Sequence, residues 1–190
     1  MNFLEECLGG KRLGTISNDE AAMLTALSWA AKSKDPATQV GACIVNDDGK
    51  VLSAGYNGTP RCWSDDEFPW QKDDKYGAEN TKYPYVVHAE MNSFVNYGGS
   101  IKDFKNATIY VTLFPCSNCA KLIVQAGIKK VVYLMDDRVG TLDNDCAKLI
   151  LDKCGVEYIS FDELNNLSKA NFSLEEEKEK IIYIRPKRNC

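Results

Sequence analysis

The second half of the chain alternates between two periodicities, and that alternation limits the fold more than any other feature. Ala107 to Leu113, Lys130 to Met135 and Val156 to Phe161 are short runs rich in β-branched and aromatic residues, as strands are. Residues 117–126 and 143–153 between them carry helical spacing. Each helical stretch is followed by a glycine, Gly127 or Gly155, the residue suited to a left-handed C-terminal cap. Upstream, Val40 to Val45 and Val51 to Tyr56 flank the turn-forming Asp47-Asp48-Gly49 and read as a hairpin. Before the hairpin, Ser17-Asn18-Asp19-Glu20 has the form of a capping box, and Met23, Leu27 and Ala30 recur at helical spacing until Asp35-Pro36 ends the element. A hairpin followed by alternating helix and strand implies an α/β fold, a three-layer α/β/α sandwich.

The rest of the chain fits one such unit. Residues 1–190 show no repeat, low-complexity tract or linker and read as a single domain, with 162–190 as a C-terminal extension. In that extension, Glu175 to Lys180 reads as a solvated helix face and Ile181 to Ile184 as a docked terminal strand. With 44% apolar residues the chain can build one sizeable core. Its net charge of −4 argues against a broad electropositive surface, so polymeric nucleic acid is not an expected partner and an anionic ligand must be met by a few placed donors. No segment approaches the ~18 apolar residues of a membrane span, and the N-terminus lacks a secretory pattern, so a soluble, cytoplasmic protein is expected.

Eight cysteines without signs of secretion read as thiols, not disulfides. Cys43, Cys146 and Cys154 fall in apolar patterns and are expected to be buried. Only Cys116 and Cys119 form a close pair. From Gly58 to Pro84 there are 27 residues with no clear period but with Trp63, Phe68, Trp70, Tyr76 and Tyr83. Unstructured connections of that length are uncommon in compact domains and are often functional. An ordered flap packed by its own aromatics accounts for the composition; a substrate lid or subunit contact is the sharper alternative.

Two short motifs carry chemistry. His88-Ala89-Glu90 opens an expected helix, Val87 to Tyr97, and Pro115-Cys116-Ser117-Asn118-Cys119 opens another after a strand. On one helical turn the two sulfurs would point to the same side, and a helix start favours thiolate over thiol. With His88 in the first turn of its own helix, two helix starts can converge on one ion. Three protein ligands leave the fourth tetrahedral position open, as catalytic zinc sites require. Glu90, two residues on, points elsewhere around the helix and suits a general base. A Cys-x-x-Cys alone could be a redox pair or half of a structural zinc site. However, His88 is the sole histidine and no second close cysteine pair exists, and neither alternative uses Glu90.

Joined, these motifs form the H-x-E…P-C-x-x-C signature of zinc nucleobase deaminases. A wider set of segments resembles the deoxycytidylate deaminases: Ser33-Lys34-Asp35-Pro36, Gln39-Val40-Gly41-Ala42, Gly55-Tyr56-Asn57-Gly58, Ser64-Asp65-Asp66, Tyr83-Pro84-Tyr85, His88-Ala89-Glu90-Met91-Asn92 and Leu113 to Ile128. The resemblance spans about residues 20–160. It implies a cytidine deaminase-like fold with a mixed five-stranded sheet, and one catalytic Zn²⁺ on His88, Cys116 and Cys119. Glu90 would move protons, while Asn57 and the backbone of Ala89 would touch the substrate. It further implies deoxycytidine monophosphate as substrate and a homo-oligomer, often a hexamer. Deoxycytidine triphosphate with Mg²⁺ would activate and thymidine triphosphate would inhibit. The 5′-phosphate would meet a local cation such as Lys34, Arg61 or Lys82, and the Gly58–Pro84 segment would couple the site to effector and subunit contacts. The alternatives are a deaminase of another base or nucleoside, and a non-catalytic nucleotide-binding regulatory module.

Overall fold

The computed structural model describes residues 15–168. The expected helix face at Glu175–Lys180 and strand at Ile181–Ile184 lie outside that range. The described chain forms α1 (Asn18–Ala30), β1 (Gly41–Val45), β2 (Val51–Tyr56), α2 (Ala89–Val95), β3 (Thr108–Leu113), α3 (Ser117–Gln125), β4 (Lys130–Met135), α4 (Leu142–Lys153), β5 (Glu157–Ser160) and α5 (Phe161–Ser168). The capping box at Ser17 and Glu20 is formed in both directions. Gly127 and Gly155 take positive φ, 81° and 65°, as their cap positions require. Helix α5 was not expected; it starts directly at the end of β5, without the turn signal that would mark it in the sequence.

The sheet is mixed, in the order β2-β1-β3-β4-β5. β1 runs antiparallel to both β2 and β3, whereas β3, β4 and β5 are parallel. Strand alternation divides the core in two. Ala42, Ile44, Ile109, Val111 and Val131 face a cluster that includes Ala89 of α2, Ala120 and Ile123 of α3, and Ala147 and Leu151 of α4. Cys43, Val45, Tyr110 and Val132 face Ala22, Met23 and Ala26 of α1 and Phe161 of α5. The result is the three-layer sandwich, with α2, α3 and α4 on one face and α1 and α5 on the other. Among the described residues no helix is long and apolar enough to cross a membrane.

Two glycines on the hairpin let helices approach on opposite faces. A Cβ on Gly41 would lie 1.9 Å from the Ala26 carbonyl oxygen of α1, and one on Gly55 would lie 2.4 Å from the Ser93 nitrogen of α2. These are backbone atoms, so no side-chain movement relieves the clash. Three ties then fasten α2 to β2. The Asn92 amide donates to the Tyr56 carbonyl at 2.7 Å, the Asn96 amide to Ala54 at 3.0 Å, and the Ser53 hydroxyl to Ser93 at 2.6 Å.

The cysteines separate by environment. Cys43 is buried, and burial pushes its thiol up to about 12. Cys146 is only half-buried and Cys154 is exposed, against expectation. They lie on the outward half of α4 and at its C-cap, where the apolar pattern has turned away from the core.

The Gly58–Pro84 segment is held by its own aromatic rings. Trp63 packs against Phe68 and Tyr85, and Phe68 against Trp70, with centroids 4.6–5.2 Å apart. Its two ends are clamped by an isolated antiparallel bridge between Gly58 and Val87. Replacing Gly55 by Ala should destabilise the fold by at least the ~1–3 kcal/mol of a strained overpacking. Gly98→Ala is the control, because nothing lies within 4 Å of an added Cβ there. Urea unfolding of both variants checks this, with Gly98→Ala expected within about 0.5 kcal/mol of the parent.

Candidate functional site

The site lies where the carboxyl ends of β3 and β4 meet the start of α2, the position at which open α/β sheets bind ligands. Neither key residue sits inside the first helical turn, as the sequence reading had them. His88 is the N-cap of α2, with extended backbone and no capping hydrogen bond from its side chain. Cys116 is the N-cap of α3, likewise extended, and its sulfur accepts from the Cys119 N–H at 3.5 Å. The cap-to-third-residue geometry, not a shared helical face, is what brings the two sulfurs to one side. Because the His88 ring caps nothing, it is free to turn toward them.

The His88 Nδ1 atom stands 3.4 Å from each sulfur. All three ligand atoms lie within 4.8 Å of one another, the only such group among the described residues. A tetrahedral zinc with bonds of about 2.3 Å to sulfur and 2.0–2.1 Å to nitrogen would set N and S roughly 3.6 Å apart. The donor set therefore fits the ion in type, number and spacing. Hydrogen bonding from the Cys119 thiol, helped by His88, draws Cys116 down to about 4, toward the thiolate that a metal requires. Cys119 is pushed up by sharing its proton with Cys116 and by burial. Loading a metal must release that proton.

Glu90 is 4% exposed and lies on the cavity floor beside His88 and Ala89. Burial raises its pKa, against the opposing pull of His88. The cavity has a volume of about 310 Å³, at the lower end of small-molecule sites. Leu113, Phe114, Asp137 and Arg138 form one wall and Asp35, Thr38, Asn57, Lys72 and Lys82 the other.

Asn57 reaches this wall, but its amide is already engaged. Its Oδ1 accepts from the Val40 N–H at 2.8 Å, and its Nδ2 donates to the Thr38 carbonyl at 2.9 Å and to Asp35 at 3.2 Å. Both amide hydrogens are thus committed, leaving one lone pair on Oδ1. Asp35 is the centre of that wall. Its Oδ1 accepts from the N–H groups of Ala37 and Thr38, and its Oδ2 forms an ion pair with buried Lys82.

The expected phosphate cations are distributed differently. Lys82 is enclosed and neutralised by Asp35. Lys34 and Arg61 line a separate cleft of about 190 Å³ with Gly58, Thr59 and Asp65, and Lys34 pairs there with Asp65. Sequence reading missed Lys72 and Arg138. Arg138 donates to the Phe114 carbonyl and lies 3.4 Å from Asp143, which in turn accepts from the Ser117 N–H and hydroxyl. A cation three residues past the end of a parallel strand was the available signal for Arg138. Lys72, within the aperiodic segment, had none.

Comparison with known proteins places the chain among relatives. The model of the cytidine and deoxycytidylate deaminase zinc-binding region matches residues 16–135. Human deoxycytidylate deaminase is 46% identical over 154 residues, covering 80% of this chain and 83% of the human one. A probable deoxycytidylate deaminase of Drosophila melanogaster is 45% identical over 152 residues, covering 78% and 74%. Among solved structures, the dCMP deaminase of cyanophage S-TIM5 in complex with dCMP and dUMP superposes with a TM-score of 0.57 at 31% identity, covering 75% of this chain and 95% of that one. With the fold, the His-Cys-Cys triangle and the buried glutamate already in place, these matches show that the chain belongs to the cytidine and deoxycytidylate deaminase family.

Proposed function

We propose that this chain hydrolyses deoxycytidine monophosphate to deoxyuridine monophosphate and ammonia. The observation that carries the reading is a metal-fitting triangle of His88, Cys116 and Cys119 beside a buried carboxylate, with His88 and Glu90 both lining a cavity of nucleotide scale. The names of the relatives, and the dCMP and dUMP held by the cyanophage enzyme, support this substrate.

In this reading His88 Nδ1 and the sulfurs of Cys116 and Cys119 hold one Zn²⁺. When bound, the ion supplies Lewis acidity that makes a water a competent nucleophile at neutral pH. Two thiolates and a neutral imidazole cancel its charge, so a protein base is needed as well. Glu90 takes one proton of the attacking water and delivers it to ring N3, then carries the proton of the new C4 hydroxyl to the departing amino group. A C4–O bond forms, the C4–N bond breaks and ammonia leaves. Burial, which raises Glu90 above the usual carboxylate range, suits a group that must both accept and return a proton. The Ala89 N–H, at the first position of α2, has no intrahelical acceptor and is available to the pyrimidine. Asn57, which lines the same cavity, keeps one lone pair on Oδ1.

The regulatory reading also belongs to this proposal. Deoxycytidine triphosphate with Mg²⁺ activates, thymidine triphosphate inhibits, and a cytoplasmic homo-oligomer, a hexamer, is the working form. The second cleft, with Lys34 and Arg61 at the root of the Gly58–Pro84 segment, offers cations where an effector could bias two arrangements of that segment.

Ammonia release from a panel of cytosine and adenine nucleotides and nucleosides tests the activity, with deoxycytidine monophosphate expected to be the best substrate. Glu90→Gln should keep one zinc per chain by elemental analysis yet lose about 10²–10⁴-fold in kcat. Near-parental turnover in that variant would remove Glu90 from the reaction. Saturation curves should be sigmoidal without effector and hyperbolic with deoxycytidine triphosphate and Mg²⁺, and sedimentation should give a species larger than the monomer. Hyperbolic curves indifferent to both triphosphates would refute the regulatory part alone.

A further inference from the structure

Three cations line the catalytic cavity: Lys82, Arg138 and Lys72. Their partners differ. Lys82 is 4% exposed and spends its charge on Asp35. Arg138 gives its two terminal nitrogens to the Phe114 carbonyl and Asp143, and only its buried Nε lacks a partner among the described residues. Lys72 is exposed, and among the described residues it is in no ion pair; its ammonium donates to the Thr38 hydroxyl at 3.2 Å. An ammonium carries three N–H donors, so two remain. The Thr38 hydroxyl, having accepted from Lys72, still has its own hydrogen to give.

Both groups are held from behind by the buried network. The Thr38 N–H donates to Asp35 at 3.1 Å and its carbonyl accepts from Asn57 at 2.9 Å. Gln71, the neighbour of Lys72, gives its carbonyl to the backbone N–H of Lys82 at 3.0 Å. Asp35 is 1% exposed, and removing one partner of a buried pair leaves an uncompensated charge. Such a network is an expensive way to fill a loop, but it fixes a hydroxyl and a cation side by side at the rim. A phosphate dianion is costly to desolvate, so it belongs at that rim and not beside Glu90.

Resting on the reading of the cavity as a cytosine nucleotide site, we propose that Lys72 and Thr38 form the clamp for the substrate's 5′-phosphate. Lys72 is then the residue that separates nucleotide from nucleoside. The Asp35–Lys82–Asn57 network positions the clamp without touching substrate. This replaces Lys34, Arg61 and Lys82 as the phosphate contact. The protein's net negative charge makes an unpaired cation at the mouth the local feature an anion would seek.

The test is steady-state kinetics of the zinc-loaded full chain with deoxycytidine monophosphate and with deoxycytidine. A charge-assisted hydrogen bond contributes about 1.5–3 kcal/mol. Lys72→Met should therefore lower kcat/KM for the nucleotide roughly 10–100-fold, chiefly through KM, and lower the nucleoside value far less. Lys72→Arg should restore most of the preference, and Thr38→Val should show a smaller loss of the same kind. Binding of the product deoxyuridine monophosphate, measured by calorimetry, should weaken in parallel. Because Lys72 is exposed, circular dichroism and zinc content should match the parent. Equal losses for both substrates, or an unchanged nucleotide preference with unchanged product binding, overturns the clamp. If the parent deaminates the nucleotide and Lys72→Met does so equally well, only the clamp fails. If the parent neither deaminates the nucleotide nor binds its product, the cytosine nucleotide reading fails with it.

Discussion

The candidate site depends on two helices beginning within a side chain's reach of each other at the carboxyl ends of the interior strands β3 and β4. Each N-cap residue is extended, so its side chain leaves the helix start sideways instead of joining a helical face. His88 enters from α2 and Cys116 from α3, and Cys119 follows from the first turn of α3. The spacing of 3.4 Å between ring nitrogen and each sulfur is therefore set by the distance between two backbone termini. Those termini are placed by the sheet: β3 delivers α3, and Gly55 of β2 lets the backbone of α2 settle almost in contact. A single methyl group at residue 55 would act on the metal triangle from the far side of the helix.

Much of this architecture was legible in the sequence because its signals are local. Capping boxes, glycine caps and period-two runs each report on a few neighbouring residues, and the strands fall within one residue of their expected bounds at most ends. The H-x-E and C-x-x-C motifs were legible for the same reason: type and spacing alone define a ligand set. What could not be read was set by distant partners. Lys82 looks like any surface lysine until Asp35, 47 residues away, encloses it. Asn57 looks free to touch substrate until Val40, Thr38 and Asp35 claim its amide. Lys72 sits in a stretch with no periodicity, and only the folded segment carries it to the rim. The N-cap placement of His88 escaped as well, because His is not a residue that helix-start preferences single out.

The cavity walls differ in kind. His88 and Glu90 line the cavity together with the apolar Val40, Ala89, Leu113 and Phe114. One side wall is a saturated polar network in which a carboxylate accepts from two backbone N–H groups, an amide and an ammonium. Such networks are stabilising only when every member is satisfied, and Asp35 fills that condition. Across the cavity, Arg138 and Asp143 reach Ser117, the first helical residue after Cys116, so the opposing wall is linked by hydrogen bonds to the start of α3.

The polar wall also bears on the order in which the molecule assembles. The β1–β2 hairpin and the β3–α3–β4 unit join residues close in sequence, and short loops close with little entropic loss. The Asp35–Lys82 pair spans 47 residues, and the Cys119–His88 contact spans 31. Contacts of that separation reward the chain only after the intervening loops are closed, and such non-local pairings slow folding. The β1–β3 pairing at the centre of the sheet, from Ala42 with Val111 to Val45 with Thr108, joins residues further apart still, so sheet and wall close over the same long loops. Until Asp35 meets Lys82, each is an unpaired charge that water must keep solvated, which holds the wall apart. Pairing them removes that water, so the loop closure that sets β1 beside β3 also seals a desolvated ion pair into the pocket wall.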